Sequence, residues 1–502
     1  MTSVWQILLL LFSISFIIYH LISPKIRWIF LLILSLAFLY IISGPLCFIY
    51  TLSFILISYF GAYFIDKSVE EKNKIKILAV TIIVLFVGLI FFKFTKIIVP
   101  VNVFISKFFN IPQKFVDTII VPVGISYYTL ILIAYTIDVY RKVTTFEKNF
   151  FKYLLFSIYF PQILMGPIVR HNDTKEQLFS QKLIDFSCIQ FGVLRILWGI
   201  IKKIVIADRI AIVINTIFSN YTTYPSIYVI LGIALFGIQF YIDFSAAMDI
   251  ILGISECLGI KLPENFRNPY FSITFHQYWQ RWHITIFTFY RDYIFYPVIR
   301  NKFIMNLKTY LGTKSKWAYN HIHIFIGYIV VWIFAGIWHG GGSKAMLGNC
   351  LLPCIYLIST DIVHDYTKKL YKKYRSLQNN LIYRIFQIIF TYILLCSTWV
   401  FFVSKDIKDG FNIIHNCFSR LGIDFSTKII YVGDFYIILI GIILIFILDI
   451  FRENKIDIRN IYINKIPVIF HWLIISVFII IIMLFGLYGP YYNPQDFVYF
   501  KI

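Results

Sequence analysis

Charge is scarce in this chain. Only 14% of its 502 residues are Asp, Glu, Lys or Arg, and 59% are hydrophobic. Such a composition excludes a disordered chain, and apolar runs of about 20 residues are each long enough to span a bilayer. The sequence therefore reads as a polytopic membrane protein whose surroundings are lipid. Acidic residues are the scarcer sign, 25 against 46 basic, for a formal charge of +21. In a membrane protein this excess first reflects the positive-inside bias of cytoplasmic loops, so no nucleic-acid partner is expected. A docking face for an acidic partner or a phosphate-bearing cofactor is compatible with the same bias. Cysteine is also sparse. The seven cysteines are scattered with no CxxC pair, which predicts neither a disulfide framework nor a metal site. Cys350 and Cys354 read as small apolar residues. Familiar catalytic signatures are missing too: there is no GxSxG elbow, no HExxH and no Walker-type phosphate loop. None of the ten histidines is followed five residues later by Asp, as in soluble acyltransferases. No internal repeat stands out, which counts against an inverted-repeat transporter. No soluble domain or low-complexity linker interrupts residues 1–502, read here as one integral membrane domain.

The first apolar run, residues 5–21, lacks a basic start and a small-residue cleavage site, so it is expected to stay as a span. Lys25 and Arg27 follow it and mark a cytoplasmic turn. Residues 28–42 return outward, Ser43-Gly44-Pro45 makes a turn, and residues 46–65 come back in. Lys67, Lys72, Lys74 and Lys76 crowd the next loop, residues 77–99 go out, and residues 122–139 return to Arg141, Lys142 and Lys148. Three successive basic loops thus fall on one side. The middle is less regular. Phe160-Pro161-Gln162 and Gly166-Pro167 predict a broken or re-entrant segment before Arg170, His171, Asn172 and Asp173. Spans are expected over residues 191–206, 228–242, 322–338, 347–362, 381–403, 435–450 and 468–487. The total is about ten to thirteen transmembrane helices by the length rule. Asp138, Asp243 and Asp249 sit beside or within apolar runs, where pairing with a nearby Lys or Arg is expected.

One stretch, residues 263–297, breaks the pattern. It gathers Glu264, Asn265, Arg267, Arg281, His283, Arg291 and Asp292 among Tyr278, Trp279, Trp282, Tyr290 and Tyr293. Prolines at 263, 269 and 297 interrupt any long helix. Ionisable groups and irregular backbone at membrane depth belong where they line a cavity or are buried in protein. The stretch reads as the wall of a reaction chamber or, alternatively, as an interfacial segment with aromatic anchors. Two histidines have distinctive settings. His283 sits in Trp279-Gln280-Arg281-Trp282-His283. His339 ends a strongly apolar span in Gly336-Ile337-Trp338-His339-Gly340. Histidine is suited to exchanging a proton near neutral pH, as a hydroxyl attacking a thioester requires. A hydrogen-bonded structural role at a helix end accounts for either residue as well, and His276, His321 and His323 lie nearby.

These motifs, taken in order, resemble the membrane-bound O-acyltransferases, and within them the branch of the alginate O-acetyltransferase membrane subunit. The matching residues begin with Pro122-Val123-Gly124-Ile125-Ser126 and Asp138-Val139-Tyr140-Arg141. Phe160-Pro161-Gln162, Gly166-Pro167-Ile168-Val169-Arg170, Lys202-Lys203 and Ala207-Asp208-Arg209 follow. Asp243-Phe244-Ser245, Leu262-Pro263-Glu264-Asn265-Phe266, Trp279-Gln280-Arg281-Trp282-His283, Arg291-Asp292-Tyr293 and Gly336-Ile337-Trp338-His339-Gly340 complete the set. The chain departs from the family's pattern at Ala246-Ala247-Met248, at Gln280 and at Gly340-Gly341-Gly342-Ser343-Lys344.

The resemblance implies an all-α bundle with re-entrant segments around a central funnel. It implies His339 as the principal catalytic histidine and His283 as the second, with Asn265, Arg281, Trp282 and Trp338 as substrate-channel candidates. It further implies acetyl-CoA or a similar thioester as cytoplasmic donor and an external acetyltransferase as partner. The expected activity is transfer of an acetyl group across the cytoplasmic (inner) membrane, for O-acetylation of an extracellular or cell-wall polysaccharide. The alternatives are D-alanyl transfer to teichoic acid from a carrier protein, and a transporter or channel without covalent chemistry. The tail carries Phe497-Val498-Tyr499-Phe500 before Lys501-Ile502, similar to a Phe-x-Tyr-Phe terminal motif of this branch, which makes Tyr499 a candidate acyl acceptor; an interfacial aromatic anchor is the alternative.

Overall fold

In the computed structural model, residues 4–94, 122–179, 184–340, 342–374, 380–420, 422, 429–489 and 497 are described, and every regular element among them is helical. Lipid offers the backbone no hydrogen-bond partners, so apolar segments must satisfy their own amides, and helices do this within one segment. Nine helices among the described residues are long and apolar enough to cross a bilayer. The protein is thus a multi-pass membrane protein. The 44-residue segment Pro24–Lys67 is broken where Gly44 adopts φ 72° before Pro45, at the turn that Ser43-Gly44-Pro45 predicts. Nine helices plus the one this break adds give ten candidate spans among the described residues, against about ten to thirteen expected for the chain. The further apolar helix Ile125–Tyr140 is shorter, and all its residues but Ser126 and Tyr140 are buried.

The chain divides into two compact units. Met1–Ile196 and Met248–Pro263 form the first, and Leu197–Ala247 and Glu264–Ile502 form the second. In the first unit hydroxyls join helices. Tyr153 donates to Ser58 Oγ at 2.7 Å, and Ser58 Oγ lies 3.0 Å from Thr136 Oγ1. Small and hydroxylated residues serve this purpose in membrane bundles, where burial against lipid supplies little drive for association. Gly124, at φ 77°, starts the Ile125–Tyr140 helix against the carbonyl of Ile163, where a Cβ would collide with it. Residues 159–169 are turn and irregular backbone and wholly buried, matching the irregular segment that Pro161 and Pro167 predict. Asp249 pairs with Arg195 at 2.9 Å.

The second unit departs from the expected regular span over residues 191–206. Residues Ile201–Ala207 form a π-helical turn followed by the helix Asp208–Ser219. That turn buries two consecutive lysines. Lys202 donates to Ser245 Oγ at 2.8 Å, and Lys203 bridges Asp243 at 2.9 Å and Asp208 at 3.0 Å. Buried charges persist where they are paired, and Asp243 supplies the expected partner. The C-terminal side packs on the same turn: Leu487 N donates to Ile204 O, and the buried Phe497 ring lies 4.6 Å under Lys203 Nζ. The amphipathic helix Ile407–Ser419 turns Ile413 and Cys417 onto a core that includes Val229, Ile233 and Val400.

Candidate active site

The site is built within the second unit from the irregular stretch that organises the sequence. Thr274 caps the helix Phe275–Arg281 by accepting from Gln277 N at 3.1 Å. A second short helix, Ile284–Tyr290, starts immediately afterwards, and His283 between them takes the left-handed conformation, φ 46° and ψ 51°. For a residue with a Cβ this costs about 1–2 kcal/mol, so the surroundings must hold it. Asn265 does so from across the loop. Its carbonyl accepts from Ile284 N at 2.9 Å, and its Oδ1 accepts from Thr285 N at 3.0 Å and Thr285 Oγ1 at 2.7 Å. Arg267 N donates to Arg281 O at 2.9 Å, closing the same loop one step further out.

Arg281 adds a longer tie. It grips Glu453, at the end of the Val432–Glu453 helix, through two bonds of 2.8 and 3.2 Å, and Asn268 Nδ2 reaches the same carboxylate at 3.3 Å. The forked guanidinium matches both carboxylate oxygens, a geometry that restrains orientation as well as distance. The edge of Phe244 packs on the His283 ring at 4.9 Å. His283 lies outside the spanning helices yet is fully enclosed, and desolvation pushes its imidazole down to about 3, so it is neutral at physiological pH.

His339 follows the last residue of the Lys316–Trp338 helix, where its N–H donates to Ala335 O at 2.9 Å. Its ring meets the Trp338 ring edge-on at 4.7 Å. Gly336 lets this helix end approach the π-helical turn Leu347–Leu351, since a Cβ there would lie 2.8 Å from Cys350 Cβ. Gly340, at φ 116°, turns the chain away. That junction brings the two histidines together. Both line one cavity of about 40 Å³ with Trp282, Asn349, Thr398 and Trp399. A larger cavity of about 570 Å³ is lined by Arg267, His276, Gln280 and Arg291 together with aromatic rings. Trp279, Phe287, Tyr290 and Trp332 line both cavities and stand between them.

Of the residues singled out in the sequence, His283, His339 and Trp282 thus meet at one cavity. Asn265 and Arg281 line neither cavity; their side chains brace the loop that presents His283. Trp338 lines neither, and packs against the ring of His339. Tyr499 lies outside the described residues. Asn349 and Thr398, which bring polar atoms to the histidine cavity, were not singled out. The signal for Asn349 is an amide in the apolar run Leu347-Gly348-Asn349-Cys350-Leu351; Thr398 carries none, because a threonine in an apolar helix ordinarily bonds its own backbone, as Thr398 does to Leu395 O.

Residues 143–313, which include the His283 loop, match the family described as MBOAT, membrane-bound O-acyltransferase family. A probable alginate O-acetylase of Pseudomonas putida is 31% identical over 234 residues, 46% of this chain and 44% of that protein. The chain thus aligns with less than half the length of this relative. A peptidoglycan O-acetyltransferase of Helicobacter pylori is 26% identical over 352 residues, 64% of this chain and 61% of that protein. A teichoic acid D-alanyltransferase of Bacillus subtilis is 27% identical over 291 residues, 56% of this chain and 68% of that protein.

Proposed function

We propose that this protein, whose residues 143–313 match the membrane-bound O-acyltransferase family, is an O-acyltransferase. It moves an acetyl group from a cytoplasmic thioester, acetyl-CoA or a similar donor, across the cytoplasmic (inner) membrane. The acetyl group then serves O-acetylation of an extracellular or cell-wall polysaccharide, with an external acetyltransferase as partner. The observation that carries this reading is the convergence of His283 and His339 on one small cavity beside a larger one with arginines in its lining. The larger cavity falls within the ~300–1,000 Å³ of small-molecule sites, and Arg267 in its lining suits the phosphates of a nucleotide-bearing thioester, while Arg291 there is held by Asp292 at 2.8 and 3.2 Å.

In this mechanism His339 takes the proton of an acceptor hydroxyl. The oxygen forms a C–O bond to the acetyl carbonyl carbon as the C–S bond breaks, and the proton passes on to the departing thiolate. His283, neutral and rigidly presented, orients the reacting carbonyl and hydroxyl. Their approach within a tight cavity supplies the proximity on which such transfers depend. Acetyl transfer is preferred over D-alanyl transfer because the alginate and peptidoglycan relatives are named for O-acetylation. A transporter without covalent chemistry would turn over no thioester. The test is His339→Ala in a strain whose polymer is O-acetylated by this protein: acetyl transfer is abolished while expression and membrane insertion persist. Retained O-acetylation in that strain removes His339 from the mechanism.

A further inference from the structure

We infer that the ring partition of Trp279, Phe287, Tyr290 and Trp332 is an acyl-size filter that confines transfer to the shortest acyl groups. This rests on the acyl-transfer reading above and adds which part of the donor the site measures. The four rings face the larger cavity on one side and the histidine cavity on the other. Phe287 is their centre: its ring lies 4.7 Å from Trp279, 5.6 Å from Tyr290 and 5.8 Å from Trp332, while Trp279 and Trp332 close on each other at 4.9 Å. Trp332 and Tyr290 are buried, and Tyr290 is backed by Phe334 at 5.7 Å. Close-packed rings with such backing do not yield to a probing methylene without displacing neighbours.

The space beyond the partition sets the limit. A water-sized atom occupies ~10–15 Å³ on this scale, so about 40 Å³ holds roughly three or four heavy atoms, and the acceptor oxygen must be one of them. Acetyl has three heavy atoms. Butyryl and alanyl each have five. A donor whose bulk lies in the larger cavity can therefore present an acetyl carbonyl to the histidines, while a longer acyl chain presses on the rings. As in acetyl transfer, the C–S bond breaks as the C–O bond forms, and the hydroxyl proton travels through His339 to the thiolate. One methylene in a tight apolar site is worth about 10–200-fold, which sets the expected discrimination between acetyl and propionyl.

The experiment uses inverted membrane vesicles from cells producing the full chain, supplied with acetyl-, propionyl-, butyryl- or octanoyl-CoA. Release of free thiol is measured against His339→Ala vesicles. The native protein is expected to use acetyl at least about 10-fold faster than propionyl, and octanoyl not at all. Phe287→Leu should admit propionyl, and Phe287→Ala, which widens the way between the two cavities, should bring butyryl within about 3-fold of its own, slower, acetyl rate. If Phe287→Ala fails to elute as a folded protein, the Phe287→Leu profile decides. Equal native rates for all lengths overturn the filter, as does unchanged acetyl preference in folded Phe287→Leu and Phe287→Ala. Failure of the native vesicles to release thiol from any of the thioesters instead overturns the acyl-transfer reading and the filter with it.

Discussion

Asn265→Ala should disable the proposed acyl transfer although Asn265 itself does not line the cavity that holds the histidines. Asn265 is fully buried, and its side-chain oxygen accepts from Thr285 N at 3.0 Å and Thr285 Oγ1 at 2.7 Å. Truncation leaves that buried N–H and hydroxyl without this acceptor, at a cost of about 1–3 kcal/mol for an unsatisfied group. It also weakens the hold on His283, whose left-handed backbone carries about 1–2 kcal/mol of strain that the loop then relaxes by moving. A displacement near 1 Å of a reacting group costs on the order of 100-fold in rate, so acetyl transfer should fall by about that factor. Thr285→Val is the graded comparison. It removes only the hydroxyl bond and keeps the backbone one, so its rate should fall about 10-fold or less. The assay pairs thiol release from acetyl-CoA in vesicles with the melting temperature of the detergent-solubilised protein. A folded Asn265→Ala protein that retains a rate within about 3-fold of native would refute the argument, because transfer would not then depend on the backbone geometry Asn265 imposes on His283.

Three further outcomes are expected. His283, with its folded-state value near 3 against about 6.5 when unfolded, favours folding as the neutral ring; its contribution is complete above pH 6.5 and is lost as the pH falls toward 3. Native protein should therefore lose up to about 1.4 kcal/mol per pH unit in that window that His283→Asn does not lose, and equal acid sensitivity of the two proteins would discount the enclosed ring. A cysteine introduced as Lys72→Cys should resist a membrane-impermeant thiol reagent applied to intact cells, and labelling above that of the native chain would reverse the topology and the side of the donor. Tyr499→Phe keeps the ring and any anchoring but removes the hydroxyl, and is expected to stop O-acetylation of the polymer; normal O-acetylation would leave Tyr499 as an anchor only.

Phe497, two residues ahead of Tyr499, gives that last comparison a structural setting. Its buried ring under Lys203 fixes this point of the C-terminal tail to the π-helical turn of the second unit. The Lys203 ammonium that covers it is itself held by Asp208 and Asp243, so the tail's attachment draws on a buried ion network. Cation–ring contacts of this kind gain strength where water is excluded.

The spans were legible in the sequence because their cause is local. A run of apolar residues crosses a bilayer by its own length, and Ser43-Gly44-Pro45 breaks one through the φ of a single glycine, at 72°. The pairing of Asp243 and Asp249 with basic residues followed as directly, from the expense of an isolated charge in apolar surroundings. His283 and His339 could be picked out by their neighbours, but nothing local states that they share a cavity. That depends on Gly336 allowing one helix end to meet the turn that carries Asn349. The roles of Asn265 and Arg281 were hidden for the same reason. The first brings its oxygen to Thr285 across 20 residues of chain, and the second finds Glu453 across 172. Composition and turn chemistry act over a few residues and so determined the helices. The packing of large rings and the pairing of buried polar groups act across the whole unit, and only the folded chain decides which of them meet.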